Sequence, residues 1–473
     1  LGRLATIAVL LAATATQLSA QAGATTATVR GRVTSTSGAS VSGAQIVVRN
    51  METGVVKGAL ANDEGLYIVP FLAPGGPYEV SVQLIGQTAP ARQFDGFSIG
   101  EVILVDFSLT EQAVQLEGIE VVAESAPLIE TKQSGVVDRV GTVAIENLPT
   151  NGRNFADFVA LSPNVQVDAG DGSGGNLSLG GGRRGANSIT IDGVNNTGTF
   201  FGGEARGSDR IAFAYSIETV KEFQVITNSY DVEYGNFTGG QINAVTKAGT
   251  NDFRASAFYY GRDERLTGDD FQGIAPEDFS SHQYGAVVSG PIIRDKAHFL
   301  FSVDRQDRIN PVRSLTDDAT VGDITPTELD RFTSITQSVY GYDASNEFGI
   351  FDQSNDQTAL FARVDWQIND DHAVTLRHNF TDLINDNDRI SSNEGWSNGG
   401  VYKDRAHSFA ANLKSIVLPN MFNDFRLQVA REARPREAAN LLPQIEVFGD
   451  TESFYDIEIF NDPVLPNSLD ENL

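Results

Sequence analysis

Leu360-Phe361-Ala362-Arg363-Val364-Asp365-Trp366-Gln367-Ile368 alternates without a break, with Leu360, Ala362, Val364, Trp366 and Ile368 on one side and Phe361, Arg363, Asp365 and Gln367 on the other. Successive side chains of a strand point to opposite faces, so the stretch reads as a strand with one apolar face and one largely polar face. The pattern recurs on both sides of it. Phe299, Phe301 and Val303 alternate with Leu300, Ser302 and Asp304; Val374, Leu376 and Phe380 alternate with Thr375, Arg377 and Asn379. Further on, Phe425, Leu427 and Val429 alternate with Arg426 and Gln428. Segments of about ten residues with this dyad are what a strand crossing a bilayer needs, lipid on one face and water on the other.

The connections carry the same message. Short turns are expected at Ile293 to Lys296, Asn369 to Asp371 and Pro419 to Asn423. The intervening connections, Asp263 to Ser281, Asp307 to Asp356 and Asp382 to Asp404, are long and polar. Such alternation is the habit of an outer-membrane barrel, with short turns at one end and long loops at the other. A soluble sandwich has little reason to keep long structureless loops at one end only. Residues 252–473 therefore read as an antiparallel transmembrane β-barrel of about seven strands, which is incomplete. The segment Pro466 to Leu473 reads as a polar loop and not as a closing strand, so the chain is expected to be part of a longer protein.

Composition narrows the function. Asp and Glu number 62 against 34 Lys and Arg, a net charge of −28 that disfavours nucleic-acid binding, which needs a basic footprint. A hydrophobic fraction of 41% is ample for packed cores. Abundant Gly (46) and Phe (28) suit strands and turns, and the absence of Cys excludes thiolate metal sites, thiol nucleophiles and disulfides. At the start, Leu4 to Ala15 form an apolar run after Arg3, followed by Ala20-Gln21-Ala22. Residues 1–22 read as a secretory signal peptide with an A-x-A cleavage site. The run is too short to span a bilayer as a helix, and no other window is long enough, so a membrane location requires a barrel.

Residues 27–110 alternate strands with turn clusters. Val29, Gly31 and Val33 share a strand, Gln45 to Arg49 form another, and Asn62-Asp63-Glu64-Gly65-Leu66-Tyr67, Leu72-Ala73-Pro74-Gly75 and Tyr78-Glu79-Val80-Ser81-Val82 follow. Evenly spaced strands between Gly, Pro and Asn/Asp turns favour a β-sandwich. The order of these segments resembles the carboxypeptidase regulatory-like domain, which implies a seven-stranded prealbumin-like sandwich. Gly76-Pro77, inserted before Tyr78, departs from that pattern and lengthens one turn. Sugar binding is the functional role the resemblance allows; the quoted residues themselves serve turns and core.

Residues 111–127 read as a linker containing Leu116-Glu117-Gly118-Ile119-Glu120-Val121-Val122-Ala123, and residues 128–251 as an α+β domain. Through the latter run Leu148-Pro149-Thr150-Asn151-Gly152-Arg153-Asn154-Phe155, Ile191-Asp192-Gly193-Val194, Ile217-Glu218-Thr219-Val220-Lys221-Glu222-Phe223 and Asp231-Val232-Glu233-Tyr234-Gly235. The series closes with Gly239-Gly240-Gln241-Ile242-Asn243-Ala244-Val245-Thr246-Lys247 and ends at Asn251. This ordered set resembles the plug domain of TonB-dependent outer-membrane receptors, and the preceding sandwich with its L-P-x-x-G-R-x-F motif is similar to their Oar-like branch.

The resemblance implies a mainly β protein: a sandwich, an α+β plug and a barrel whose full count in the family is 22 strands. It places the protein in the outer membrane, with the sandwich and a TonB box in the periplasm. Ile119, Glu120, Val121 and Val122 fit that box, because β-branched residues without Pro can add a strand to a partner sheet. The implied partners are the energy-transducing protein TonB, outer-membrane lipid and an extracellular ligand such as a glycan, peptide or siderophore. The plug loop after Gly193, with Asn195, Asn196, Phe200 and Phe201, is the expected ligand contact.

No cofactor, metal or catalytic residue is expected. His282, His298, His372, His378 and His407 form no H-E-x-x-H. The glycine run from Asp168 to Gly185 lacks the P-loop lysine and reads as a plug loop. Two other functions stay open: an Oar-like surface adhesion or organising protein with a barrel anchor, and a secreted carbohydrate-binding sandwich protein.

Overall fold

The computed structural model describes residues 25–111, 135–148, 153, 155–168, 176–198, 205–207, 215–229, 237–314, 326–388, 394–418, 421–439, 445–447, 457–459 and 468–472. The proposed signal peptide, the segment Ile119 to Val122, Phe200 and Phe201, and the middle of the glycine run lie outside the described residues.

The first strands are β1 (Ala27–Ser35), β2 (Gln45–Asn50), β3 (Val56–Leu60), β4 (Leu66–Leu72), β5 (Tyr78–Gln83), β6 (Gln87–Thr88), β7 (Arg92–Phe94), β8 (Val102–Leu104) and β9 (Phe107–Glu111). They form two sheets, one ordered β4-β1-β9-β6 with β8 also beside β1, the other β3-β2-β5-β7. Alternate residues turn inward, so Val29, Val33, Ile46, Val48, Val69, Val80 and Phe107 make one buried core. Tyr78 stacks on Phe97 with ring centroids 4.4 Å apart. At the Asn62–Leu66 turn, Asn62 Oδ1 accepts from the backbone of Glu64 and Leu66, and Gly65 takes φ 73°. The expected seven strands appear as nine, because the later part is cut into pieces of two or three residues by Gly86, Pro90 and Gly100. A core confined to these strands gives an expected result: a polypeptide of residues 27–110 folds alone as a soluble all-β monomer. A random-coil circular dichroism spectrum would contradict it.

The second unit contains β10 (Gly135–Gly141), α1 (Thr142–Asn147), α2 (Phe155–Val159), β11 (Val165–Asp168), β12 (Asn176–Leu179), β13 (Ser188–Ile191), β14 (Val194–Asn195), β15 (Val220–Ser229) and β16 (Gln241–Thr246). Its mixed sheet runs β10-β15-β16-β13-β14, with β13 parallel to β16. Every residue of β13 and β16 is buried, as befits strands covered on both faces. Phe158 of α2 lies along Phe223 of β15, centroids 6.2 Å apart, and Ile189, Ile191, Val225 and Ile242 complete the core.

The third unit is one antiparallel sheet: β17 (Arg254–Asp263), β18 (Ser280–Ile293), β19 (Ala297–Ser314), β20 (Gly349–Gln367), β21 (His372–Asp386), β22 (Gly400–Leu418) and β23 (Met421–Ala438), paired in chain order. A helix, α3 (Pro326–Ile335), stands in the long β19–β20 connection. The outer face carries Val288, Phe301, Trp366, Leu376 and Phe409, all exposed, and the inner face carries Ser302, Gln357, Asn379 and Thr381, all buried. That is the polarity of a barrel wall facing lipid.

Two expectations need correction. The strands outrun the long loops read from the sequence: β19 and β20 stay paired from Ala297↔Trp366 to Ser314↔Gly349, well past Asp307 and Asp356. The hydrophobic dyad marks only the lipid-facing stretch, whereas backbone pairing continues where both faces are polar. The polar tail is also not all loop. Ser468–Asn472, introduced after the short strands β24 (Ile445–Val447) and β25 (Ile457–Ile459), forms β26 and pairs with β23. The unpaired edge of β23 offers a row of backbone donors and acceptors that almost any extended segment can satisfy.

Candidate functional site: the seat of the mixed sheet on the barrel wall

Asp192 and Gly193 form the two-residue turn between β13 and β14, both with positive φ (48° and 71°), the geometry for which Asp-Gly is favoured. Asn243 fixes this turn: its Oδ1 accepts from the Gly193 N–H at 3.0 Å and from the Thr190 hydroxyl at 2.9 Å. Thr246 then donates to Asp192 twice, from its N–H and its hydroxyl, each at 2.8 Å. The I-D-G-V and G-G-x-I-N-x-x-T-K motifs are thus two halves of one structure.

That structure aims the Asp192 carboxylate at the barrel. Arg377 Nη1 lies 3.0 Å from Asp192 Oδ2 and donates to the Ile191 carbonyl at 2.6 Å. Arg363 Nη1 lies 3.5 Å from the same oxygen and donates to the Thr246 hydroxyl at 2.7 Å. Asp365 holds Arg363 in a two-pronged contact at 2.7 and 2.9 Å and accepts from the Thr375 hydroxyl. Both arginines are under a tenth exposed. Burial pushes the Asp192 carboxyl upward in pKa, but Arg363, Arg377 and the two Thr246 hydrogen bonds outweigh it, so the group sits below the ordinary carboxylate range.

Three further contacts hold the same sheet. Glu432, fully buried on β23, accepts from the Gly207 N–H at 2.8 Å and from Arg434 at 3.0 Å, with Arg206 3.9 Å away. Gly207 has φ 70° and faces Thr381 so closely that a β-carbon would collide with its hydroxyl and press on Ala406. The Ser216 hydroxyl donates to Asp304 at 2.8 Å, and Arg153 pairs with Glu218 at 2.6 Å while lying over the Tyr260 ring. So the L-P-x-x-G-R-x-F and I-E-x-V motifs also meet, across 65 residues of chain.

At the short-turn end the sandwich packs under both units. The Asn251 N–H donates to the Glu52 carbonyl at 2.9 Å, and Arg254 pairs with the Glu52 carboxylate at 3.3 Å. The Asn251 side chain bonds Asp295 in the β18–β19 turn in both directions. Arg426 donates to the Thr25 hydroxyl, Phe71 meets Phe422 edge-on, and Gln224 donates to the Ile99 carbonyl.

Of the expected ligand contacts, Asn195 is exposed, with its carbonyl accepting from Gln428 at 2.6 Å, and Asn196 is buried beside it. Arg363, Arg377, Glu432 and Gly207 were not singled out from sequence. A signal existed for the first two: a short turn centred near Asp370 pairs Arg363 directly with Arg377. Like charges opposite one another are unfavourable unless a counter-charge is supplied.

Residues 28–110 match the carboxypeptidase regulatory-like domain, and residues 245–340 match an outer membrane beta barrel domain. The chain is 29% identical over 253 residues to the TonB-dependent transporter Oar of Myxococcus xanthus, a match covering 50% of this chain and 22% of that protein. Among solved structures it is similar to the outer membrane transporter YddB from Escherichia coli, with 14% identity, a TM-score of 0.45, and 69% of this chain and 43% of that chain covered. It is also similar to the siderophore receptor PirA from Acinetobacter baumannii, with 17% identity, a TM-score of 0.45, and 72% and 44% covered. The chain spans less than half the length of each of these proteins. The chain thus carries a carboxypeptidase regulatory-like domain followed by an outer-membrane beta barrel domain, and over half its length it is similar to a TonB-dependent transporter of the Oar type.

Proposed function

We propose that the protein is a plug-gated transporter that takes up a large ligand across the outer membrane, driven by TonB. The observation that carries this reading is the seat of the mixed sheet. A domain meant only to anchor a barrel has no need of a detachable fit, yet this one is held by discrete polar contacts at Asp192, Glu432, Ser216 and Arg153. Polar, charge-paired contacts can exchange for water when the domain is pulled, whereas a continuous apolar interface would resist as a core does.

In this reading residues 128–251 are the plug, residues 252–473 are the first part of the barrel, and the short-turn end faces the periplasm. The sandwich and the linker of residues 111–127 then share the periplasm with TonB, which pairs with Ile119, Glu120, Val121 and Val122. Ligand meets the long-loop end and the plug loop carrying Asn195, Asn196, Phe200 and Phe201. A saccharide or peptide is the favoured ligand class, in keeping with the regulatory-like sandwich. The test is a photo-cross-linking residue in place of Glu120 in cells making the whole protein. A covalent adduct with TonB that depends on the inner-membrane proton gradient is expected. Equal or absent adducts at Glu120 and at an exposed sandwich position such as Glu64 would remove the TonB contact and leave the anchor reading.

A further inference from the structure

Below Asp192, between the sandwich and the barrel wall, lies a cavity of about 150 Å³. In a chain of net charge −28 its lining runs the other way: Lys57, Lys296, Lys414, Arg363 and Arg377 face it against two carboxylates, Asp192 and Asp365. Both carboxylates are already engaged by the two arginines. Lys57 of β3 and Lys414 of β22 have no carboxylate within 4.0 Å among the described residues, and neither side chain is exposed. The ammonium of Lys57 lies 6.0 Å from the centroid of the Phe71 ring. Asn50 and Asn412 add amide groups to the same lining.

An ammonium withdrawn from water without a partner is costly, and two facing one space cost more. The arrangement is favourable once an anion shares that space, because charge-assisted hydrogen bonds to an oxyanion satisfy both. We propose that this chamber is a binding station for a small oxyanion, phosphate or carboxylate, on the periplasmic side of the plug. Resting on the transport reading, it would receive such a group on the ligand as the ligand leaves the barrel, with the sandwich as its floor. Burial pushes the Lys57 pKa down to about 8, so without an anion the amine is partly neutral and reactive at mildly alkaline pH, and a bound anion would restore its proton.

Limited acetylation with an N-hydroxysuccinimide ester, read by peptide mass spectrometry on the whole protein in detergent, tests this directly. Inorganic phosphate and succinate are the two probes, with glycerol as the uncharged control. At near-saturating anion, modification of Lys57 and Lys414 should fall by at least about fivefold, as site occupancy dictates. Lys403 and Lys247, already paired with Glu437 and Glu146, should change little. Protection by only one probe identifies that oxyanion; protection by neither, or equal protection at Lys403, overturns the proposal. Lys414→Met should abolish protection at Lys57, and unchanged protection there would likewise count against a shared site. If neither anion protects while TonB-dependent opening is intact, the station fails and transport stands. If anions protect but opening never occurs, the site stands and its transport role fails.

Discussion

Asp192→Ala is expected to loosen the plug from the barrel wall and to cost about 3–5 kcal/mol, the range for breaking a buried ion pair on one side. The size follows from what is left behind. Arg363 keeps Asp365, but Arg377, paired across the strands with Arg363, loses the one carboxylate it pairs with among the described residues. Two Thr246 donors lose their acceptor as well. Asp192→Asn keeps the shape and one acceptor oxygen, so its cost should be smaller but still measurable. Glu52→Ala at the sandwich contact is the contrast: that pair is partly exposed, so its loss should cost no more than about 1 kcal/mol. Denaturant unfolding in detergent, with protease nicking of residues 135–246, measures both. The pH dependence has a definite sign. A carboxyl held below its ordinary value contributes stability in full above the unfolded pKa and loses it as pH falls through the folded one. Nicking should therefore rise in acid, below the usual carboxylate range, and be absent at neutral pH. A silent Asp192→Ala would mean that the plug is seated by something other than this carboxylate.

The barrel was readable from sequence because lipid imposes a period. Leu360, Ala362, Val364 and Trp366 must face outward, and the intervening polar residues follow. Where the strands rise past Asp307 and Asp356, no such demand exists, so the ends could not be read by the same rule. The motifs of the plug were legible as residues but not as a mechanism. Asp192 stands in one stretch and Asn243 with Thr246 in another about fifty residues on, and only the parallel pairing of β13 with β16 brings them together. Their barrel partners were hidden further, because Arg363 and Arg377 look like ordinary members of a water-facing stripe until the register places them side by side. Contacts such as Gly207 to Glu432 span 225 residues, and no local pattern encodes them.

Val121→Pro is expected to abolish energised opening of the plug while leaving the protein folded in the outer membrane. Strand addition requires an uninterrupted run of backbone groups, and Pro removes one N–H while restricting the residue before it. Val121→Ala keeps the backbone and should behave nearly as the parent does. Because residues 1–473 contain no Cys, a Ser216→Cys substitution, with any cysteine of the longer protein replaced by Ser, reports the event without knowledge of the ligand. Ser216 is 1% exposed and bonded to the barrel through Asp304, so a maleimide can reach a cysteine there only when the plug leaves its seat. The decisive measurement is maleimide labelling of Cys at this position in living cells, with and without an uncoupler, in the parent and Val121→Pro backgrounds. Labelling that appears in energised parent cells, and is lost both with the uncoupler and with Val121→Pro, is the predicted result. Labelling that is equally slow in all four conditions would contradict it, and the barrel would then be an anchor with a permanently seated plug.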